Sequence, residues 1–495
     1  MKVKLVTLPA VNGAVWTAPI GIAQLAGALR ANNIDVTCVD FNPHYDYGSW
    51  ISTDELAVEP KAQAAVEFIN KWGSIVEEWS ETLLEGAPDI IGISILYHGM
   101  LVPSLALSIV LKKIKPGLIL IMGGPFARAS NVALLKELLE ANVVSGILEG
   151  EGEDAIVSLV KMVEAKKPLG QIPGMWVIEK GDAVKRIETC PVDPNKLALA
   201  DFSDFDLKKY AGSWHNSFPI FGSRGCVNRC SFCNSYKHSP RFIQRDPDHI
   251  IKEIIRDIKE YQAGRIVFTD NLINGNPGKL KELCRAIIKH DFGIKFSGNL
   301  ALMPSVDDEM LDLLKQAGFI DILLAVETPA KKIRRDMGKW PDTEGVLRIV
   351  RKAAANDLNP YLYLMHSFPT ETDRDFEELL HFVDQFKPTD FLGVGFWPFR
   401  LAQVQPGEVD MDFVNKFNIK LLSGYGYDHH DARVAFGREP AWETEWVNDA
   451  IKKERHKRLL EHMANWKTGN LLTESKPSRN FILNVLSYIR RVGIV

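Results

Sequence analysis

Short apolar runs alternate with longer amphipathic stretches over the first 165 residues. The apolar runs lie at residues 3–8, 34–40, 89–95, 118–125 and 144–147, and stretches with helical spacing of their apolar residues separate them. Apolar runs of this length, flanked by turn residues, are typical of strands buried on both faces of a sheet. The pattern therefore predicts an α/β fold that begins with a doubly wound, Rossmann-like domain over residues 1–165.

A second series of strands and helices follows a connector. Residues 166–215 contain one hairpin pattern and a stretch rich in proline and aspartate, which is typical of a linker. Six strand–helix units then predict a partial (β/α)6 barrel over residues 216–405, with its chemistry on the loops after the strands. The predicted strands lie at residues 218–221, 265–269, 295–298, 322–326, 361–365 and 391–396.

The pattern changes again at residue 406. Residues 410–420, 445–463 and 481–489 have helical spacing, so we predict a mostly helical C-terminal cap over residues 406–495. The polar and aromatic loop that contains His429 and His430 is more consistent with a wall of a substrate pocket than with a metal site. Adjacent histidines on one loop do not readily turn toward a single ion.

Composition and charge exclude several classes of protein. The formal net charge is −4, and no basic surface for a nucleic acid is evident. No apolar run of about eighteen residues predicts a membrane-spanning helix, and the N-terminal residues do not resemble a signal peptide. Six cysteines in 495 residues, three of them isolated, are not a disulfide framework. We therefore expect a cytoplasmic protein without nucleic-acid or membrane partners.

The other three cysteines lie together in the polar, glycine-flanked loop after the first barrel strand. Cys226, Cys230 and Cys233 are spaced as Cys-x3-Cys-x2-Cys. A structural zinc ion takes four ligands, and His238 is a candidate for the fourth. Three thiolates alone suit an iron–sulfur cube with one open iron. We favour the cluster, which Phe232 would shield from water.

This motif, in this position, resembles the radical S-adenosylmethionine (SAM) superfamily. Four later segments also resemble family elements on barrel strands or directly after them: residues 267–271, 325–328, 334–339 and 366–372. Ser367 stands where the family more often has glycine, so the geometry of that turn is open. The resemblance implies a [4Fe–4S] cluster held by the three cysteines, with SAM at the open iron. It also implies SAM contacts for Asp270, Ser297 and Glu327, although barrel packing or helix capping would equally account for each of the three.

The first domain resembles the cobalamin-binding domain that precedes the barrel in one radical SAM subfamily. The resemblance implies cobalamin contacts at the carboxyl ends of the strands, where sheets of this kind bind ligands. The candidate residues are Asn12, Asp40, Ser94, Gly123, Gly124 and Glu151. No Asp-x-His-x-x-Gly element follows the first strand, and His44 has the wrong spacing. Cobalamin would therefore be bound without a histidine below cobalt, unless the domain has lost its ligand.

The function that this resemblance implies is reductive cleavage of SAM. The main hypothesis is a cobalamin-dependent methyltransferase that acts on a small molecule and takes electrons from a flavodoxin or ferredoxin. The second hypothesis is a radical SAM enzyme with an empty cobalamin-like domain, which catalyses a rearrangement, a cyclisation or the transfer of another part of SAM. The third hypothesis is a non-enzymatic iron–sulfur or zinc scaffold.

Overall fold

The computed structural model contains two compact units. The described residues up to 210 form the first unit, and those from 217 onward form the second. The described ranges are 1–9, 18–42, 62–96, 98–125, 138–189, 191–210, 217–233, 241–387, 390–391, 393–401, 403–405, 408–425 and 439–468. Several sequence candidates lie outside them: Asn12, His44, His238, His429, His430 and the helix predicted at 481–489.

The first unit contains one seven-stranded sheet with the strand order β2-β1-β3-β4-β5-β6-β7. The strands are β1 (Lys2–Thr7), β2 (Asp35–Asp40), β3 (Ile90–Ser94), β4 (Ile119–Gly123), β5 (Gly146–Leu148), β6 (Met175–Glu179) and β7 (Asp182–Lys185). The helices are α1 (Ile20–Ala31), α2 (Ala62–Leu84), α3 (Leu101–Ile114) and α4 (Glu153–Glu164). Strands β1 to β5 are parallel, which confirms the doubly wound α/β prediction.

The last two strands extend this sheet beyond the predicted parallel core. Strand β6 pairs antiparallel with β5, and β7 pairs antiparallel with β6. The predicted hairpin therefore exists, but its strands continue the first sheet. Because β5 has only three residues and would otherwise be an edge strand, the hairpin supplies hydrogen-bond partners for its backbone.

The second unit begins with the predicted parallel barrel strands. They are β8 (Ser217–Ile220), β11 (Arg265–Phe268), β12 (Lys295–Ser297), β13 (Asn299–Leu300), β14 (Leu323–Glu327), β15 (Tyr361–His366) and β16 (Gly393–Pro398). Two short strands, β9 (Ser223–Arg224) and β10 (Ile243–Gln244), form an antiparallel pair after β8. The helices are α5 (Pro247–Tyr261), α6 (Pro277–His290), α7 (Asp308–Gln316), α8 (Lys331–Asp336), α9 (Thr343–Ala355) and α10 (Asp373–Asp384).

Pairing of the strands gives a partial barrel with six strand positions. Strands β12, β11 and β8 form one parallel group, and β13, β14, β15 and β16 form another. Gly298 separates β12 from β13 in the chain, and its carbonyl accepts a hydrogen bond from Leu323 N at 3.0 Å, which connects the two groups. The fold class expected from the sequence is therefore confirmed.

The described C-terminal residues contain two helices and four short strands. They are α11 (Met411–Lys416), α12 (Asp449–Thr468), β17 (Gln403–Gln405), β18 (Glu408–Val409), β19 (Lys420–Tyr425) and β20 (Pro440–Glu443). Helix α12 packs against β15, β16 and α10. Its buried Arg455 donates to the buried carboxylate of Glu371 at 2.9 Å, just before α10. Helix α12 thus covers the outer side of the last two barrel strands.

No helix in the described part of the chain is long and apolar enough to span a bilayer.

Candidate active site

The cysteine loop begins where β8 ends, and a buried carboxylate from the next strand position holds its first residues. Asp270 follows β11, and its Oδ2 accepts a hydrogen bond from Gly222 N at 2.8 Å. Its Oδ1 accepts another from the hydroxyl of Ser223. The two contacts keep the chain between β8 and Cys226 against the end of β11.

The other end of the loop is attached to the turn after α8. Ser231, between the second and third cysteines, donates from its backbone N to Met337 O at 2.9 Å. Its hydroxyl donates to Asp336 O at 3.0 Å. Gly338 has a φ of +74°, and a Cβ there would lie 3.3 Å from Arg229 O. Glycine therefore allows this turn to pack closely against the loop.

The three thiols interact electrostatically. Burial raises the pKa of Cys226, and it raises the pKa of Cys230 to about 11, with Cys233 raising both further. The positive charge of Lys339 acts in the opposite direction on Cys226 and Cys230. Buried thiols give up their protons readily only when a cation replaces them. The raised pKa values therefore favour metal-bound thiolates over free thiolates on this loop.

A Glu–Lys pair lies beside these thiols. Glu327 ends β14 with a φ of +62°, an unfavourable conformation for a residue with a side chain. The register of β14 with β15 shifts at this point. Lys339 Nζ lies 2.9 Å from Glu327 Oε1 and donates to Ala325 O at 3.0 Å. Both side chains keep 13% of their surface exposed, so the pair can still contact a ligand.

The other two predicted SAM contacts have protein partners. Asp270 is 3% exposed and both of its carboxylate oxygens accept the hydrogen bonds described above. Ser297 is fully buried, and its hydroxyl accepts from Arg265 Nε at 2.9 Å. The structure brings Asp270 to the cysteine loop as a positioning group. Direct contact of Asp270 or Ser297 with SAM stays a prediction.

Ser367 adopts the backbone conformation that glycine would provide. It follows β15 with a φ of +63°. Its N donates to the carboxylate of Glu371, and its hydroxyl lies 2.9 Å from His366 Nδ1. Ser367 therefore keeps the positive φ that glycine would provide at this turn, and its contacts with His366 and Glu371 stabilise that conformation.

The candidate residues of the first sheet lie at strand ends, but most have structural partners. Asp40 is buried and accepts from the Tyr210 hydroxyl at 2.8 Å. Glu151 accepts from Val192 N at 2.6 Å. Gly124 has a φ of +97°, and a Cβ there would lie 2.6 Å from Ile95 O, so close packing requires this glycine.

Two other candidates remain accessible at the same sheet edge. Ser94 ends β3 and Gly123 ends β4, directly opposite each other in the register, and both are half-buried. A Cβ at Gly123 would lie 3.8 Å from Leu148 O, an ordinary van der Waals distance, so close packing does not require glycine at this position. Leu96, two residues after β3 ends, is 47% exposed. This edge has small residues and an exposed apolar side chain, which suits a large, flat ligand.

Some contacts in the barrel were not predicted. The sequence placed Lys339 in a family-like segment without indicating its pairing with Glu327. Arg334 is fully buried, and donates from Nη1 to Val326 O at 2.5 Å and to Thr328 O at 3.1 Å. Burial lowers its pKa to about 10. The signal for Arg334 was its place in the Arg-Arg-Asp-Met-Gly-Lys segment after β14.

The fold and the site together define a class of protein. A parallel barrel carries three thiols on the loop after its first strand, with a Glu–Lys pair on the loop of its fourth, and a doubly wound domain precedes it. These are the features of an iron–sulfur enzyme with a separate ligand-binding domain.

Comparison with protein families names that class. The B12 binding domain model matches residues 11–160, and the Radical SAM superfamily model matches residues 220–383. The chain thus contains a radical SAM domain preceded by a B12-binding domain, which confirms the family expected from the sequence.

Individual proteins show how far this similarity extends. The anaerobic magnesium-protoporphyrin IX monomethyl ester cyclase of Rubrivivax gelatinosus is 25% identical over 343 residues, 67% of this chain and 61% of the relative. The next two curated relatives are matched over 57% and 58% of their lengths, so the chain spans about three fifths of these proteins.

Two solved structures share the fold over most of the chain. TsrM from Kitasatospora setae, a radical SAM methyltransferase solved with its tryptophan substrate and a SAM analogue, has a TM-score of 0.66 and 15% identity. That match covers 94% of this chain and 89% of TsrM. The cobalamin-dependent SAM radical enzyme OxsB, with aqua-cobalamin and SAM bound, has a TM-score of 0.69 and 16% identity. It covers 99% of this chain and 71% of OxsB.

The two domains imply a [4Fe–4S] cluster, SAM and cobalamin as cofactors. The cysteine loop fits the cluster, because its mutually interacting thiols lie near the cations of Lys339 and Arg334, which offset the charge of three thiolates. Among the described residues, no three His, Cys, Asp or Glu side chains converge on a single metal ion. A cube bonds each thiolate to a different iron and does not require such convergence. Cobalamin contact at Ser94 and Gly123 stays a prediction.

Proposed function

We propose that this radical SAM enzyme is a cobalamin-dependent methyltransferase that acts on a small molecule. The observation that carries the proposal is the three-thiol loop after β8, with Glu327 and Lys339 beside it, in a chain that also contains a B12-binding domain. A cluster held by the loop would supply the electron that cleaves SAM, and cobalamin would supply a carrier for its methyl group. A small reducing protein such as flavodoxin or ferredoxin would deliver the electrons.

The residues of the chain would have distinct tasks in this reaction. Cys226, Cys230 and Cys233 would bind three irons and leave the fourth open to the amine and carboxylate of SAM. Glu327 would accept hydrogen bonds from SAM at the end of β14, while Lys339 limits the rotamers of its carboxylate. Phe232 lies below the Lys339 ammonium at 5.8 Å and would exclude water from the cluster.

The domain at residues 1–165 would present cobalamin at the edge formed by Ser94, Gly123 and Gly124. Asp40 and Glu151 would act indirectly, because they accept hydrogen bonds from Tyr210 and from the backbone of Val192. Asn12 stays a candidate on sequence grounds.

A ring-forming reaction is the second candidate, because the curated relatives that match the chain include cyclases. The two reactions use SAM differently. Methyl transfer from SAM leaves S-adenosylhomocysteine, whereas one-electron reductive cleavage leaves methionine and a 5′-deoxyadenosyl radical, which becomes 5′-deoxyadenosine when it takes a hydrogen atom. Methylation at an unactivated carbon requires both, and cyclisation by hydrogen abstraction requires reductive cleavage alone.

Product analysis of SAM separates the two candidates without knowledge of the substrate. The anaerobically reconstituted enzyme, with and without cobalamin, is mixed with SAM and titanium(III) citrate, and the products are measured by mass spectrometry. We expect 5′-deoxyadenosine in both samples. We expect S-adenosylhomocysteine only with cobalamin, in an amount that approaches one equivalent per bound cobalamin.

Each other outcome has a clear meaning. 5′-Deoxyadenosine without S-adenosylhomocysteine would contradict methyl transfer and favour the ring-forming alternative. Absence of both products from an enzyme with a full iron content would contradict radical SAM chemistry itself.

A further inference from the structure

An aromatic strip covers one face of the last two barrel strands. It consists of Tyr361 and Tyr363 on β15 and Trp397 on β16. The rings of Tyr361 and Tyr363 are 5.3 Å apart at 63°, and those of Tyr363 and Trp397 are 5.6 Å apart at 38°. These are the tilted arrangements that aromatic rings favour. All three side chains remain partly exposed, and Trp397 is 37% exposed.

The strip faces the inside of the barrel. Residues alternate between the two faces of a strand, and His366 of β15 points outward, with its ring 5.4 Å from that of His456 on α12. Tyr361 and Tyr363 therefore point inward. Burial, and after it the negative charge of Glu327, raise the pKa of the Tyr363 hydroxyl, so Tyr363 lies within electrostatic reach of that carboxylate.

The strip also leads to the cysteine loop. Met365 follows Tyr363 on the inner face of β15, and Met365 and Phe232 pack against the same apolar cluster. A molecule on the strip would thus be close to the residues that surround the open iron.

Two glycines on β16 make room for these rings. Gly393 and Gly395 are paired with Tyr361 and Tyr363 in the parallel register. A Cβ on Gly393 would lie 2.8 Å from the Tyr361 ring, and one on Gly395 would lie 2.6 Å from the Tyr361 hydroxyl and 2.3 Å from Trp397. No other residue allows the rings to lie flat against β16, so the strip depends on this pair of glycines.

The two phenol groups lack acceptors. Among the described residues, no hydrogen bond is formed by the hydroxyl of Tyr361 or of Tyr363. Burial raises the pKa of both groups, so both remain protonated and able to donate. A half-buried donor without a partner is unfavourable unless a ligand or water accepts from it. The strip therefore offers aromatic faces together with two hydrogen-bond donors.

We propose that Tyr361, Tyr363 and Trp397 form the recognition site for the substrate, and that the substrate is a planar, unsaturated ring system that carries a hydrogen-bond acceptor. The inference rests on the proposed function, since it names the class of molecule on which that reaction acts. Ring faces would stack on Trp397 and on the tyrosines, and the phenol hydroxyls would donate to the acceptor atom.

Equilibrium dialysis of three neutral probes tests this inference. The reconstituted holoenzyme is used with SAM and without reductant, so that no turnover occurs. Quinoline is planar and has an acceptor, naphthalene has the same shape without one, and 2-decalone has an acceptor but is not planar. We expect quinoline to bind about tenfold more tightly than naphthalene, and 2-decalone to bind more weakly than either.

Variants locate the binding. The Tyr361→Phe/Tyr363→Phe double variant keeps both rings, so we expect its affinity for quinoline to fall about tenfold while its affinity for naphthalene is unchanged. Trp397→Leu should weaken the binding of both quinoline and naphthalene. Trp446→Leu, which changes another tryptophan that is about as exposed (42%), should weaken neither.

Equal affinities for the three probes, or unchanged quinoline binding in the double variant, would overturn the inference. SAM cleavage, measured separately with reductant, distinguishes this failure from that of the proposed function. An enzyme that cleaves SAM but does not bind quinoline contradicts the recognition site alone. An enzyme that binds quinoline but does not cleave SAM contradicts the proposed function alone.

Discussion

Acidic residues at strand ends have different surroundings in the sheet and in the barrel. In the sheet, Asp40 and Glu151 both accept hydrogen bonds from the stretch that follows the domain. In the barrel, Asp270 is equally enclosed, whereas Glu327 is paired with Lys339 and partly exposed. The same kind of position therefore holds the chain in three cases and leaves a carboxylate partly accessible in the fourth.

The backbone reflects this difference. Glu327 and Ser367 both adopt positive φ values next to the barrel strands that they follow. Such conformations are unfavourable by about 1–3 kcal/mol each and persist where the surrounding structure enforces them. Asp40 ends β2 without a positive φ. A strained backbone therefore distinguishes Glu327 from Asp40, and contact of Glu327 with SAM stays a prediction.

The largest effect that we expect is for the thiols. Cys230→Ala should abolish cluster incorporation and SAM cleavage, because a cube cannot be held by two thiolates alone. Iron and sulfide analysis with 5′-deoxyadenosine measurement checks this. Cys284→Ala is the matched control, since Cys284 is buried in α6 and should leave iron content unchanged. Full iron content and activity in Cys230→Ala would refute the ligand assignment.

Asp270→Ala should reduce the free energy of unfolding by roughly 2–4 kcal/mol, because the N–H of Gly222 and the hydroxyl of Ser223 lose their buried acceptor. Iron occupancy should fall as well, since both donors lead directly into the cysteine loop. Calorimetry and iron analysis of the same preparation measure the two effects. A destabilised variant with normal iron occupancy would show that Asp270 does not position the loop.

The same carboxyl should make stability depend on pH. Burial raises the pKa of Asp270 from its ordinary value of 3.8 to about 6, so the native state binds more protons than the unfolded state between these pH values. The contribution of Asp270 to stability is therefore fully present below about pH 4 and is lost as the pH rises through about 6. The difference in Tm between the wild type and Asp270→Asn should shrink from pH 5 to pH 7. A constant difference would contradict the raised pKa.

Glu327→Gln tests the ligand-contact side of the comparison. The amide still accepts from Lys339, so we expect a loss of stability below about 1 kcal/mol. We expect the affinity for SAM to fall about tenfold, because the charge-assisted contact is lost. Equilibrium dialysis with radiolabelled SAM measures the affinity. Glu309→Gln removes an acid from an exposed ion pair on α7 and should change neither quantity.

Asp40→Asn should have the smallest effect. One of the two acceptor oxygens is lost, so the free energy of unfolding should fall by about 1 kcal/mol. Cobalamin retained after gel filtration, measured from the visible spectrum, should be unchanged. Loss of cobalamin from a stable Asp40→Asn protein would remove the distinction that we draw between Asp40 and Glu327.

Local sequence predicts the strands and helices because apolar residues are spaced differently along buried strands and along amphipathic helices. It predicted the first five barrel strands to within one residue at each end, whereas the sixth begins two residues later than predicted, at Gly393. It missed the continuation of the sheet by β6 and β7, because antiparallel pairing with β5 is a contact between separate segments.

The candidate site also has a part that local sequence predicts and a part that it does not. The spacing of Cys226, Cys230 and Cys233 places three thiols on one short loop, whatever the rest of the fold. The residues that hold this loop are distant in sequence. Ser231 and Asp336 are 105 positions apart, and Gly222 and Asp270 are 48 positions apart. No local pattern encodes such pairs, because they form only when the ends of neighbouring barrel strands come together.

The order of elements and the chemistry of the cysteine loop follow from the sequence, since both depend on residues that are close along the chain. Tertiary structure decided which strand-end acids are enclosed, as Asp270 is, and which remain accessible, as Glu327 does. It also decided that Tyr361, Tyr363 and Trp397 share one face, since only the parallel register of β15 and β16 brings them together. The identity of a side chain determines what it can do, and its neighbours in space determine what remains for it to contact.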